Sequence, residues 1–171
     1  DYTHPELEWA SDSKMIFITA HRRENLGEPM RNMFRAIRRV LDEHPECKAI
    51  YPIHMNPVIR KVADEELGDC DKIHIIEPID VFDCHNFESR CYLCLTDSGG
   101  IQEECPSYGK PVLVMRDTTE RPEGVIAGVL RLVGTEEENI YKPQLPDVME
   151  AIFDAAYLIF DLIAAILFFI F

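Results

Sequence analysis

One stretch of the sequence, Tyr92-Leu-Cys-Leu-Thr-Asp-Ser98-Gly99-Gly100-Ile-Gln-Glu-Glu104, decides the fold. Its first five residues are mostly apolar and predict a buried strand, and the residues after the two glycines predict a helix. Glycines at such a junction let backbone N–H groups approach a ligand, and the helix N-terminus adds partial positive charge. Ser98 can cap the helix or donate to a phosphate oxygen. The junction therefore predicts a diphosphate cradle, with an ordinary glycine-containing turn as the alternative.

The same strand-turn-helix unit repeats on both sides of this junction. Strands are predicted at 15–20, 48–53, 72–76, 92–96, 111–115 and 129–133. Helices are predicted at 28–44, 57–67, 80–90 and 99–108, and the first carries an apolar face of Met30, Met33, Phe34, Ile37 and Leu41. This alternation predicts an α/β fold: a Rossmann-like parallel sheet of about six strands with helices on both faces. Ligands of such sheets bind beyond the carboxyl ends of the strands.

Polar residues follow the first two strands. The loop Thr19-Ala-His21-Arg22-Arg-Glu-Asn-Leu-Gly27 offers imidazole and guanidinium donors to a phosphate. The alternative is a solvated turn whose Arg and Glu side chains pair with one another. After the second strand, His54 either faces the same cleft or caps the next helix together with Asn56. Capping is the favoured interpretation of His54.

Three further polar side chains lie near the predicted cradle. Glu104 lies in the first turns of the helix after the glycines, where its carboxylate could bind sugar or ribose hydroxyls. After the fifth strand, Arg121 is a second candidate phosphate ligand, just before Pro122 at the start of a helix. Arg116 is instead expected to be structural, tied to Asp117 or Glu120.

Charge and cysteine content narrow the classes of function. The 171 residues contain 31 acidic and 17 basic side chains, a formal charge of −14, which argues against a nucleic-acid partner. The N-terminus is polar rather than a signal peptide, so we expect a cytoplasmic protein with reduced cysteines. Cys91 and Cys94 form a C-x-x-C near His85, but strand positions three apart point to opposite faces. We therefore expect no metal site and no cofactor.

The end of the chain departs from the α/β pattern. Residues 155–171 are apolar except for Asp161. We do not favour a membrane span here, because the segment is short, contains a central carboxylate and lacks flanking basic residues. We predict a domain over 1–145 and an apolar helix of unclear role over 146–171. Such a segment could be covered by self-association, which makes a homo-oligomer one possible partner state.

Four segments, taken together, resemble one family. T-A-H-R-R-E-N-L-G, Y-P-I-H-M-N-P, L-T-D-S-G-G-I-Q-E-E and G-K-P-V-L-V-M-R-D-T-T-E-R-P-E-G-V are similar to second-domain motifs of the bacterial UDP-N-acetylglucosamine 2-epimerases. The resemblance runs in order from about residue 4 to about residue 141. It implies one half of a GT-B fold, in which UDP-sugar binds between two Rossmann-like domains.

The resemblance also implies a reaction and roles for particular residues. The family interconverts UDP-GlcNAc and UDP-ManNAc by eliminating UDP and adding it back. Carried over, the diphosphate would contact Ser98, Gly99 and Gly100, its charge would be stabilised by His21 and Arg121, and Glu104 would hold the ribose. The loop from Ile79 to Cys84 would frame the uracil. Arg22 and His54 would face a second, allosteric UDP-GlcNAc.

This sequence departs from the family pattern in three respects, which limit the roles that the resemblance implies. The acidic residues and Lys that the family uses for proton transfer at C2 belong to an N-terminal domain for which 171 residues leave no room. Cys84 stands where the family usually has an aromatic. The apolar tail replaces the polar last helices. We therefore expect a UDP-binding half that is inactive alone. The alternatives are a GT-B glycosyltransferase domain and a non-enzymatic, self-associating α/β scaffold.

Overall fold

A computed structural model describes residues 2–141 and contains six strands and seven α-helices in that range. The strands are β1 Lys14–Thr19, β2 Cys47–Pro52, β3 Ile73–Ile76, β4 Leu93–Thr96, β5 Val112–Val114 and β6 Leu130–Leu132. The helices are α1 Pro5–Trp9, α2 Glu28–Glu43, α3 Pro57–Leu67, α4 Val81–Arg90, α5 Ile101–Ser107, α6 Pro122–Ile126 and α7 Glu137–Tyr141, with one 3₁₀ turn at Arg23–Asn25.

All six strands pair in parallel, in the order β3-β2-β1-β4-β5-β6. The central register aligns Ile16 with Ala49 on one side and with Leu93 on the other. The chain first builds outward from β1 to β3 and then returns to place β4 against the free edge of β1. This reversal between β1 and β4 is the topological switch point of a doubly wound sheet. The predicted Rossmann-like parallel sheet is confirmed.

Side chains of β1 alternate between two apolar layers, one on each face of the sheet. Ile16 and Ile18 pack with α2 and α3, whereas Met15 and Phe17 pack with α4 and α5. The predicted apolar face of α2 is buried at all five positions. Helices therefore cover both faces, as predicted, and the polar loops are left at the strand ends.

The predicted segments agree with the structure to within one or two residues at most ends, and α3 agrees at both. Asn56 begins α3 by accepting the N–H of Val58, and Pro57 occupies the first turn. Gly27 begins α2 with a φ of 94°, a conformation that favours glycine. Helices α1 and α7 were not predicted, because helices of five residues carry too little periodicity to be seen in a sequence.

The prediction that Cys91 and Cys94 point to opposite faces was wrong. Cys91 lies before β4, at the end of α4, so the alternation of a strand does not apply to it. Both thiols lie in the same apolar layer, together with Cys105. Burial raises the pKa of the Cys94 thiol well above its usual range. All six cysteines are unpaired, and residues 2–141 contain no group of His, Cys, Asp or Glu arranged to hold a metal ion.

Two predictions concern parts of the chain that the structure leaves undescribed. The domain boundary at 145 and the apolar helix over 146–171 lie outside the described residues. Within residues 2–141, no helix combines the length and the apolarity needed to span a bilayer.

Candidate functional site

The loops after β1 and β4 meet at the switch point around the buried side chain of Asp97. This carboxylate accepts the backbone N–H of His21 at 3.0 Å, that of Arg22 at 2.8 Å, and the Asn25 side-chain amide at 3.1 Å. In return, Arg22 Nε donates to the Asp97 carbonyl at 2.9 Å. The three donors compensate a charge that would otherwise be costly to bury. The site is thus built on a carboxylate that was not among the predicted site residues.

A polar cavity of about 590 Å³ opens above this junction. Its lining offers mainly donors, and consists of His21, Arg22, Arg23, His54, Asn56, Ser98 and Gly99. The rings of His21 and His54 stack with their centroids 5.8 Å apart. Because imidazole, guanidinium and hydroxyl groups converge in this cavity, it is suited to an anionic group such as a phosphate.

The loop after β2 satisfies both interpretations of His54 in part. The helix is capped by Asn56, whereas His54 Nδ1 accepts the backbone N–H of Asn56 at 3.0 Å. His54 also lines the polar cavity. An imidazole whose Nδ1 accepts a hydrogen bond carries its proton on Nε2 when it is neutral, so His54 offers an Nε2–H donor.

A second cavity, of about 380 Å³, adjoins the first and shares His21, His54 and Ser98 with it. The remainder of its lining is mostly apolar and includes Phe17, Ile53, Pro78, Ile79, Cys84 and Ile101. A cavity that changes from polar to apolar along its length can hold a ligand with an anionic end and a flat, less polar end.

Cys84 connects the apolar cavity to a buried carboxyl group. Its thiol donates to Glu88 Oε1 at 3.2 Å, one helical turn further along α4. Glu88 has no solvent exposure, and burial raises its pKa to about 7. Near neutral pH this carboxyl group is therefore present in both protonation states.

The glycines and Ser98 form a tight connection from β4 to α5. A Cβ atom on Gly99 would lie 3.4 Å from Arg22 Nη2, so a small residue keeps the two loops in contact. Ser98 does not cap α5, because the cap position belongs to Gly100. Instead, the Ser98 carbonyl accepts from Gln102 Nε2 at 3.0 Å, and Ser98 lines both cavities.

Three predicted ligand residues, Gly100, Glu104 and Arg121, lie outside both cavities. The guanidinium of Arg121 pairs with Glu103, and the carboxylate of Glu104 lies 3.5 Å from His85 Nε2. Arg116 is structural, as expected: its guanidinium donates to both oxygens of Glu120, at 2.5 and 3.0 Å. These hydrogen bonds lower the pKa of Glu120 to about 2.

Sheet order and cavities together define a Rossmann-like α/β domain with a crevice at its switch point. Residues 1–150 match the family model described as UDP-N-acetylglucosamine 2-epimerase. The chain belongs to this family, whose members are isomerases. The match also favours an epimerase domain over the alternative of a glycosyltransferase domain. The other alternative, a self-associating scaffold, stays a prediction.

Individual relatives agree with this assignment. The chain is 60% identical over 141 residues to the UDP-N-acetylglucosamine 2-epimerase of Bacillus subtilis, covering 82% of this chain. The S. aureus MnaA–UDP co-structure is 49% identical, with a TM-score of 0.81 over 88% of this chain and 43% of that one. The Neisseria meningitidis UDP-GlcNAc 2-epimerase bound to UDP-GlcNAc is 40% identical, with a TM-score of 0.76 over 91% of this chain and 46% of that one.

The chain spans only part of these proteins. It covers 37% of the length of the Bacillus subtilis relative, a share consistent with one half of a GT-B fold.

Proposed function

We propose that this chain is the UDP-binding half of a UDP-GlcNAc 2-epimerase. The observation that carries the proposal is the pair of adjoining cavities at the switch point, one lined by donors and the other mostly apolar. Relatives whose structures contain UDP and UDP-GlcNAc support it. The diphosphate fits the chemistry of the polar cavity, and the uracil fits that of the apolar one.

The proposed contacts follow this division. The diphosphate contacts Ser98, Gly99 and Gly100, with the imidazole of His21 beside it. Ile79 and Cys84 frame the uracil. Because Cys84 stands where the family usually has an aromatic, base stacking is weaker here, by roughly 1–3 kcal/mol.

Two proposed contacts require side chains to change partners. Arg121 reaches the diphosphate only after leaving Glu103, and Glu104 reaches the ribose only after leaving His85. Both pairs are partly exposed, so exchanging such a partner for a ligand costs little.

Arg22 and His54 are proposed to face a second, allosteric UDP-GlcNAc. Both line the same polar cavity as His21, so an allosteric ligand would lie directly beside the substrate.

The proposed reaction is the elimination of UDP from UDP-GlcNAc and its re-addition to give UDP-ManNAc. Negative charge accumulates on the leaving UDP, and positioned donors such as His21 stabilise it. Proton transfer at C2 needs an acid and a base, which the resemblance assigns to the other half of the enzyme. The chain alone is therefore proposed to bind UDP without interconverting the sugars. Its proposed partner is that other half, and its proposed location is the cytoplasm.

Isothermal titration of UDP into the 171-residue chain tests the proposal. We expect saturable binding, weakened about tenfold by His21→Ala, because a hydrogen bond to a charged group contributes roughly 1.5–3 kcal/mol. His44→Ala is the matched control, since His44 lies at the end of α2, by the start of β2. Absence of binding at millimolar UDP, or equal losses in both variants, would contradict the proposal.

A further inference from the structure

The buried carboxylate of Asp97 is central to the switch point, yet it lines neither cavity. It lies directly after β4, and its hydrogen-bond donors all come from the loop after β1. A group buried between the two loops cannot contact the ligand, so its role must act through the residues that it holds.

The backbone amides of His21 and Arg22 both donate to this carboxylate. Those two amides are consequently unavailable to a ligand. At these two positions the loop after β1 can contact an anion only through its side chains, and Asp97 fixes the backbone from which those side chains project. His21 Nδ1 also lies 3.8 Å from Asp97 Oδ1, beyond hydrogen-bond distance but close enough for a Coulomb interaction.

Two further contacts connect Asp97 to the rest of the site. Asn25 donates to its carboxylate from the 3₁₀ turn, so the loop is held at both of its ends. Arg22 Nε donates to the Asp97 carbonyl, which holds the guanidinium against Gly99. Rigid placement of donors is what makes an anion site effective, because the ligand then bears no cost of ordering them.

We propose that Asp97 is a positioning residue, which holds the loop of His21 in place for the diphosphate and keeps the Arg22 guanidinium against Gly99 of the diphosphate cradle. This inference rests on the proposed function, since it assigns a purpose to the loop that Asp97 orders. The effect falls on the phosphate end of the ligand, because both residues that Asp97 holds, His21 and Arg22, line the polar cavity, whereas Arg22 does not line the apolar one.

Asp97→Asn tests the inference in the 171-residue chain. The substitution preserves the shape of the side chain but replaces one acceptor oxygen with an NH₂ group facing N–H donors. We expect UDP affinity to fall at least tenfold while the affinity for uridine, which lacks phosphates, stays within about twofold of that of the unsubstituted chain. In amide NMR spectra, the His21 and Arg22 resonances should move and their hydrogen exchange should accelerate.

Asp42→Asn is the matched control, because Asp42 is exposed on α2 and pairs with Arg38. It should leave both affinities and the loop resonances unchanged. If Asp97→Asn fails to fold, Asn25→Ala removes one donor to the same carboxylate. This variant should move the same resonances and weaken UDP binding about threefold.

Three results would overturn the inference. One is native UDP affinity and unchanged loop resonances in Asp97→Asn. Another is an equal loss of affinity for UDP and for uridine, which would indicate a general structural role. The third applies if Asp97→Asn does not fold but Asn25→Ala does: the inference is overturned if Asn25→Ala keeps the native loop resonances and the native UDP affinity. Failure of the proposed function looks different, because the unsubstituted chain would then bind no UDP, whatever the loop resonances show.

Discussion

Glu88 is a buried carboxyl group on α4 with an incomplete set of partners. Cys84 donates to one of its oxygens, and Oε2 has no hydrogen-bond partner within residues 2–141. A carboxylate in that position is poorly stabilised, which is why burial raises the pKa of Glu88 to about 7. The folded state consequently retains this proton at pH values where the unfolded chain has lost it.

The raised pKa of Glu88 predicts a loss of stability as pH rises. Between about 4.5 and 7 the folded state binds more protons than the unfolded state, so the free energy of unfolding decreases with pH over that range and then levels off. Glu88→Gln removes this contribution. Between pH 5 and pH 8, the free energy of unfolding should therefore fall by roughly 1–3 kcal/mol less in the variant than in the unsubstituted chain.

Urea unfolding at pH 5 and pH 8 measures the difference. Glu8→Gln is the control, because Glu8 is exposed on α1 and should behave as the unsubstituted chain does. The interpretation of Glu88 is wrong if both variants show the same pH dependence.

Gly99 provides a steric test of the contact between the two loops. The Arg22 side chain is close enough that an added Cβ would meet Nη2 at 3.4 Å, a tight contact that a flexible guanidinium can relieve. Gly99→Ala should therefore have a small effect, whereas Gly99→Val should displace Arg22 and weaken UDP binding about tenfold. Titration of both variants checks this order, and unchanged UDP affinity in Gly99→Val would contradict it.

At the residue scale, the rule that ligands bind beyond the carboxyl ends of parallel strands predicted which loops meet better than which side chains meet. His21, His54, Ser98 and Gly99 do converge on one cavity, because the carboxyl ends of parallel strands share an edge. Arg121 pairs with Glu103 instead, since a nearby carboxylate competes for the same guanidinium. Asp97 was overlooked, although an ionisable residue directly after an apolar strand was a signal of a buried, partnered charge.

At the scale of the secondary-structure elements, α3 provides a test of capping. Asn56 Oδ1 accepts the N–H of Val58, satisfying one of the free donors at the helix start. Asn56→Ala should lower the free energy of unfolding by about 1 kcal/mol, whereas Asn56→Asp keeps the acceptor and should change it little. Urea unfolding of the two variants measures this. Equal losses would show that the side-chain acceptor does not stabilise α3.

Element boundaries were predictable where composition changes sharply. Pro57 and the apolar positions of α2 give clear signals, because a proline suits a first turn and a helical face has a fixed period. Cys91 shows the limit of such patterns. Its strand-like neighbours obscured that it ends α4, and only tertiary packing places its thiol beside Cys94 and Cys105.

At the scale of the whole molecule, the sequence predicted parallel pairing but not the order of the strands. Alternating strands and helices dictate right-handed crossovers, and those rules allow several orders. The order observed here places β1 against β4, which brings together two loops that are 75 residues apart in the chain, as in the contact from Arg22 to Asp97. The candidate site exists because of that adjacency.

Amide NMR of the isotopically labelled chain, titrated with UDP, tests the central claim most directly. We predict that the largest shifts fall on the loops after β1 and β4, at His21, Arg22, Ser98 and Gly99, with smaller shifts at Ile79 and Cys84. Uridine should move mainly the second group, together with His21 and Ser98, which line both cavities, and should leave Arg22 and Gly99 unmoved. The claim is contradicted if UDP causes no shifts at millimolar concentration, or if its shifts cluster elsewhere, such as the cavity beside Arg131 and Gly134 at the end of β6.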